Sequence, residues 1–179
     1  MDTLLSYGTR ARAAVPAPRL PSQQVRMGQL KIGVRTEQLE AVLGSCVGIA
    51  LIWKKAGRCG LAHCLLPEAP AEEAHTLEAI TSARYVSLAV PALLRLMGAH
   101  EADYPDIEAV LAGGANMLDA RSQRLQVGQQ NAAAAQKYLQ QCGLTVSQCS
   151  LGGKHGRTIH VDCAEHSVTV RDIITPQPH

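Results

Sequence analysis

Residues 43–53, Leu-Gly-Ser-Cys-Val-Gly-Ile-Ala-Leu-Ile-Trp, deliver one cysteine through a Gly-Ser pair to the head of an apolar run. Cys46 sits where a strand begins. Gly44 and Ser45 before it allow a tight backbone turn whose N–H groups can face a developing oxyanion. Seventeen residues later His63 stands in Gly-Leu-Ala-His-Cys-Leu-Leu-Pro, a second apolar run. A thiol and an imidazole are the minimum for thiolate catalysis: the imidazole takes the thiol proton and later returns it to the leaving group. Taken singly, each residue has a plainer reading, since buried free cysteine behaves as a small hydrophobe and a strand histidine can be satisfied by backbone groups. A metal-cluster reading of Cys59, His63 and Cys64 is weakened by geometry, because neighbours in a strand point to opposite faces.

Two glycine pairs could line such a site. Gly113-Gly114 follows an apolar strand and reads as a tight turn able to approach a substrate closely, but it lacks the Lys-Ser/Thr of a phosphate loop. Gly152-Gly153-Lys154-His155-Gly156 reads as a hairpin loop with a basic rim.

The elements that must position these residues follow from hydrophobic pattern. Cys46–Trp53 is a continuous apolar run, expected as a strand buried on both faces. Gly60–Leu66 is a second, stopped by Pro67, and the turn residues 54–58 join the two as a hairpin. A plain hairpin centred near Gly57 would set Cys46 opposite residue 67, about 13 Å along the strand from His63. A further strand is expected at Gln29–Val34, followed by a connection to residue 42. Thr76–Met97 has a broad apolar face and reads as helical, with a kink or two helices meeting at Pro91. Ile107–Ala112 reads as a strand and Asn131–Cys142 as an Ala-rich helix. Leu144–Ser150, Arg157–Asp162 and Ser167–Ile173 read as strands, the last two alternating as half-exposed antiparallel strands do. The fold class expected is α+β, mostly antiparallel sheets packed with two or three helices.

The chain of 179 residues, 46% hydrophobic, suits one domain with a real core. Residues 1–26 carry four arginines, three prolines and little apolar content, and are expected to be a mobile basic tail. The domain is expected over 27–174, with 175–179 a short C-terminal tail. A net charge of +2, no Phe and one Trp leave no stacking platform and no polyanion-binding surface, which argues against nucleic acid. No signal-peptide core and no run of about 18 apolar residues occurs, so a cytoplasmic location with no direct membrane insertion is expected. The six cysteines are then expected as free thiols.

Leu-Gly-Ser-Cys-Val-Gly-Ile-Ala-Leu, Gly-Leu-Ala-His-Cys-Leu-Leu-Pro, Ala-Gly-Gly-Ala-Asn-Met, Val-Gly-Gln-Gln-Asn, Leu-Gly-Gly-Lys-His-Gly-Arg-Thr-Ile-His-Val-Asp and Ser-Val-Thr-Val follow one another in this order. Together they resemble the CheD family of chemoreceptor glutamine deamidases, over roughly Met27–Ile173. The resemblance implies an α/β sandwich. It implies a protein-glutamine glutaminase, a hydrolase of chemotaxis that converts glutamines of methyl-accepting chemoreceptors to glutamate without a cofactor or metal. It places the nucleophile on Cys46 and the base on His63; the residue reading adds Gly44, Ser45, Gly113 and Gly114 as oxyanion or site-lining positions. It also implies a CheC-like phosphatase as a possible partner. The family's third catalytic member is a threonine just before the Leu-Gly-Ser-Cys block. Here Leu39-Glu40-Ala41-Val42 contains none, which leaves the third member unknown, with Glu40 as the side chain in that stretch able to orient His63. The competing reading is a catalytically weak or inactive module of the same fold that binds receptors or a CheC-like protein.

Overall fold

The computed structural model describes residues 22–116 and 125–174. Its centre is the strand β4 (Val47–Trp53), whose every residue but the last is buried. The alternation of a strand sends Val47, Ile49 and Leu51 to one face and Ala50 and Ile52 to the other, so β4 needs cover on both sides. It receives it from two different layers.

A five-stranded sheet surrounds β4. Its neighbours are β5 (Arg58–Cys64) and, on the other side, β6 (Glu108–Gly113), with β2 (Leu30–Val34) and β7 (Thr145–Leu151) at the edges. All pairings are antiparallel except β6 with β7. One face is covered by α2 (Val86–Leu96) and α3 (Leu125–Gln141), with Leu93, Leu111 and Leu139 fully buried between. The other face packs on a four-stranded sheet of order β1 (Gln23–Gln24), β3 (Gln38–Leu43), β8 (Arg157–Asp162) and β9 (Ser167–Asp172). Leu39, Leu43, Leu61, Ile159 and Val161 fill that inter-sheet core. The expected mixed α+β class, with two largely antiparallel sheets and helices, is what the chain adopts.

Four expectations need correction. The tail was expected to run to Arg26, but Gln23 and Gln24 pair in parallel with Leu39 and Glu40, and Val25 is buried in the inter-sheet core. One apolar residue with a strand edge to join was enough to order this polar segment; residues 1–21 and 175–179 lie outside the described residues. The stretch read as a connection after Val34 contains β3, where Leu39, Ala41 and Leu43 alternate inward. The long helix is broken at residues 81–85 and not at Pro91, which sits on the exposed side of α2. The break is tertiary in origin: the Arg84 carbonyl accepts from the Leu65 and Leu66 N–H groups, and Val86 N–H donates to Leu66, so the chain is extended there to bind the segment after β5. The helix expected from Asn131 begins at Leu125.

Candidate functional site

The hairpin of β4 and β5 turns through a short 3-10 segment, Lys54–Ala56, closed by Gly57 in the left-handed conformation. This turn is centred between Lys55 and Ala56, earlier in the chain than Gly57. Val47 pairs with Cys64 and Gly48 with His63, which sets Cys46 beside Leu65. The offset from His63 is therefore two residues, about 7 Å along the strand, half of what the plain hairpin gives. Parity puts both side chains on the same face. Cys46 packs on the inter-sheet core, and His63 follows Cys59 and Leu61 on that face, while Cys64 turns to the helix side. Both residues thus lie at one end of the sandwich, between the two sheets.

The Cys46 backbone is held at three points. The Gly114 N–H donates to the Cys46 carbonyl at 2.8 Å, and the Ala115 N–H donates to the Gly44 carbonyl at 2.9 Å. Asn131, fully buried on α3, donates through Nδ2 to the Ser45 carbonyl at 3.1 Å and to the Leu65 carbonyl at 2.8 Å. Asn131 thereby ties the approach to Cys46 to the segment that follows His63, just where the β4–β5 ladder ends. Gly113 and Gly114 line this turn, but the Gly114 N–H is occupied by Cys46 and acts on the backbone. Gly113 has φ +100, and a Cβ there would lie 2.2 Å from the Cys46 carbonyl oxygen, so only glycine fits. The buried Arg157 completes the clamp, donating to the Gly113 and Gly152 carbonyls.

His63 is 3% exposed. Its Nδ1 lies 3.0 Å from the Val25 carbonyl oxygen, and its Nε2 is buried with no hydrogen-bond partner among the described residues. Burial holds the imidazole below the usual histidine pKa, with the bond to Val25 opposing that shift. Burial likewise pushes the Cys46 thiol up, offset in part by its own backbone N–H. Both shifts favour the uncharged forms, a neutral thiol and a neutral imidazole, with no hydrogen bond between the two side chains. A Gly-Ser turn alone suggests an activated, low-pKa thiol; the apolar inter-sheet setting reverses that sign.

Glu40 sits elsewhere. It pairs with His160 across β3 and β8 and lines the outer face of the four-stranded sheet with His160, Thr169 and Arg171. Leu39 and Ala41, on either side, point into the core. Its carboxylate is on the far side of its own sheet from the imidazole. Among the described residues no cluster of three or more His, Cys, Asp or Glu side chains could hold a metal ion. Nor is any described helix long and apolar enough to cross a membrane.

Sequence reasoning missed Val25, Asn131 and Arg157 as site residues. Asn131 and Arg157 stand inside recognisable blocks, so their placement was signalled without their role. Val25 acts through its main chain and carried no signal.

The family model described as CheD chemotactic sensory transduction matches residues 65–172. The chain is 39% identical over 139 residues to the "Probable chemoreceptor glutamine deamidase CheD" of Bdellovibrio bacteriovorus, covering 76% of this chain and 86% of that protein. It is 34% identical to a second protein of that description from a Ruegeria species, covering 83% and 90% of the two chains. A third, from Pyrococcus horikoshii, is 38% identical with 73% and 79% covered.

Proposed function

This chain belongs to the CheD family, and from that membership we propose that it deamidates glutamine side chains of chemoreceptors by a thiol mechanism. The observation that supports the reading is that Cys46, one residue before β4, packs on the inter-sheet core that His63 on β5 borders, with the imidazole Nε2 buried and free to accept a proton. In this reading Cys46 Sγ attacks the glutamine Cδ while its proton passes to His63 Nε2. The carbonyl oxygen becomes an oxyanion, held by main-chain N–H groups at Ser45 and Cys46. His63 returns the proton to the departing nitrogen, ammonia leaves and a thioester remains. A water, deprotonated by Nε2, attacks the thioester; Cys46 regains its proton and glutamate is released. Because both groups rest neutral, proton transfer accompanies attack, and the imidazole works as a general base.

A groove lined by Val42, Leu43, Gly44, Lys154, His155 and Ile173, which ends two residues before Cys46, supports docking of a receptor segment near the site. Its apolar floor and basic rim suit a receptor helix carrying acidic side chains next to the target glutamine. A CheC-like phosphatase is a further proposed partner, by resemblance alone. The test is mass spectrometry of receptor cytoplasmic domains incubated with the protein. The expected result is a gain of about one dalton per converted glutamine with the parent, and none with Cys46→Ala or His63→Ala. A parent that binds receptor without any mass gain would leave the binding-module reading in place of the enzyme.

A further inference from the structure

We propose that the main-chain carbonyl of Val25 is the group that orients the histidine base, taking the place of a third catalytic side chain. The proposal rests on the reading of His63 as the base, and Val25 is a positioning residue within it. A carbonyl oxygen can only accept a hydrogen bond, so the imidazole nitrogen 3.0 Å away must carry the proton. That fixes the Nδ1–H tautomer and leaves the lone pair on Nε2, the buried atom without a partner. Tautomer and ring orientation are what the third member of a catalytic triad supplies.

The carbonyl is itself held. The Val25 N–H donates to the Glu40 carbonyl at 2.7 Å, continuing the parallel pairing of β1 on β3. The Val25 side chain is 1% exposed in the inter-sheet core. Three and four residues on, the chain closes on His63 from the other direction: the Gly28 N–H donates to the His63 carbonyl and the His63 N–H donates to the Gln29 carbonyl, each at 2.9 Å. The segment from Gln23 to Gln29 is therefore a strap, fastened to one sheet at its start and to the other at its end, with its middle carbonyl on the imidazole. Glu40 enters this arrangement through its backbone, while its carboxylate faces away.

Two measurements on the full chain test this. The first is a long-range 1H–15N correlation spectrum, with His63→Gln as the assignment control. The expected signature at neutral pH is a protonated, pyrrole-type Nδ1 and a pyridine-type Nε2; the opposite tautomer overturns the proposal. The second replaces the Val25–Arg26 peptide bond by an ester, using an α-hydroxy acid at position 26, which weakens the Val25 carbonyl as an acceptor. The ester also removes the Arg26 N–H that donates to the Gln29 side chain. Gln29→Ala, which takes away only that acceptor, is the baseline. Against it the ester should lower kcat by about tenfold with KM held, and should move the acidic limb of the pH profile to lower pH, because the imidazolium loses its acceptor. An unchanged kcat and profile would overturn the proposal. Deamidation with the Nε2–H tautomer refutes the role of Val25 and leaves the reaction standing. No deamidation with the Nδ1–H tautomer refutes the reaction and leaves the carbonyl's hold on the ring supported.

Discussion

Replacing Asn131 separates the nucleophile's tether from the rest of the core. In the parent, one fully buried amide nitrogen serves two carbonyls, Ser45 at 3.1 Å and Leu65 at 2.8 Å. In Asn131→Ala both lose their donor. The Ser45 end reaches solvent and water can replace the amide there; the Leu65 end is half-buried and the loss is felt in full. With about 1–3 kcal/mol for an unsatisfied buried acceptor, the expected destabilisation is about 2 kcal/mol, or roughly 4–8 °C in Tm for a domain of this size. Asn131→Asp should be worse at pH 7, because a carboxylate would face two carbonyl oxygens at hydrogen-bond distance. Burial and those oxygens raise the pKa of the new carboxyl in the fold above its unfolded value. The folded state therefore takes up the proton first as pH falls. The Asp variant should recover stability relative to the parent between pH 7 and 5, since a protonated carboxyl can donate to one carbonyl. Freed from its tether, the Ser45–Cys46 turn can drift, and a misplacement near 1 Å is enough for about a hundredfold in rate. The expected kcat of Asn131→Ala is roughly ten- to a hundredfold below the parent. Calorimetry across pH and mass-spectrometric deamidation assays measure the two effects. An Asp variant that melts with the parent at pH 7, or an Ala variant with parental kcat, would refute the tether.

Gly113→Ala must move either its own turn or the Cys46 carbonyl. A positive φ costs about 1–2 kcal/mol before the backbone clash is counted, so Tm should drop by at least as much as for Asn131→Ala, with deamidation lost. Cys46→Ala should abolish deamidation with Tm nearly unchanged, the residue being half-buried and small. In the free protein Cys149, which is exposed, should alkylate faster than Cys46 at neutral pH. The Cys46 alkylation midpoint should lie above the usual thiol value of about 8.5, and a lower one would show an ion pair that the structure does not support. Glu40→Gln should leave kcat at the parental level in the same deamidation assay, since the carboxylate faces the outer side of its sheet.

The strands carrying Cys46 and His63 were legible because a run buried on both faces has no other reading over seven residues. The register between them was not, since it depends on whether the chain turns at Gly57 or one step earlier through a 3-10 segment. Residues 38–43 went unread as a strand because their inward face, Leu39, Ala41 and Leu43, is only three residues deep and includes a small alanine. The helix break at 81–85 carries no proline, and arises from pairing with Leu65 and Leu66, which lie far away in the pattern. The thiol's environment could not be read at all, because a Gly-Ser turn looks the same whether it opens to water or closes between two sheets.

The strap whose middle carbonyl meets the imidazole also sets when, during synthesis, the candidate site is complete. The β4–β5 hairpin is local, and it can bring Cys46 and His63 to the same end of one sheet as soon as it leaves the ribosome. Strand β1 has only two residue pairs on β3, too few to stay in place on an isolated strand. β3 in turn is paired on its other edge by β8, where Gln38 meets Asp162 across most of the chain. The four-stranded sheet therefore closes only after the C-terminal strands emerge, and contacts of such sequence separation are late in folding. A nascent chain stalled before β8 would carry both reactive side chains and an unoriented base. Under the proposed mechanism the base is oriented last, once β1 and β8 have both paired with β3.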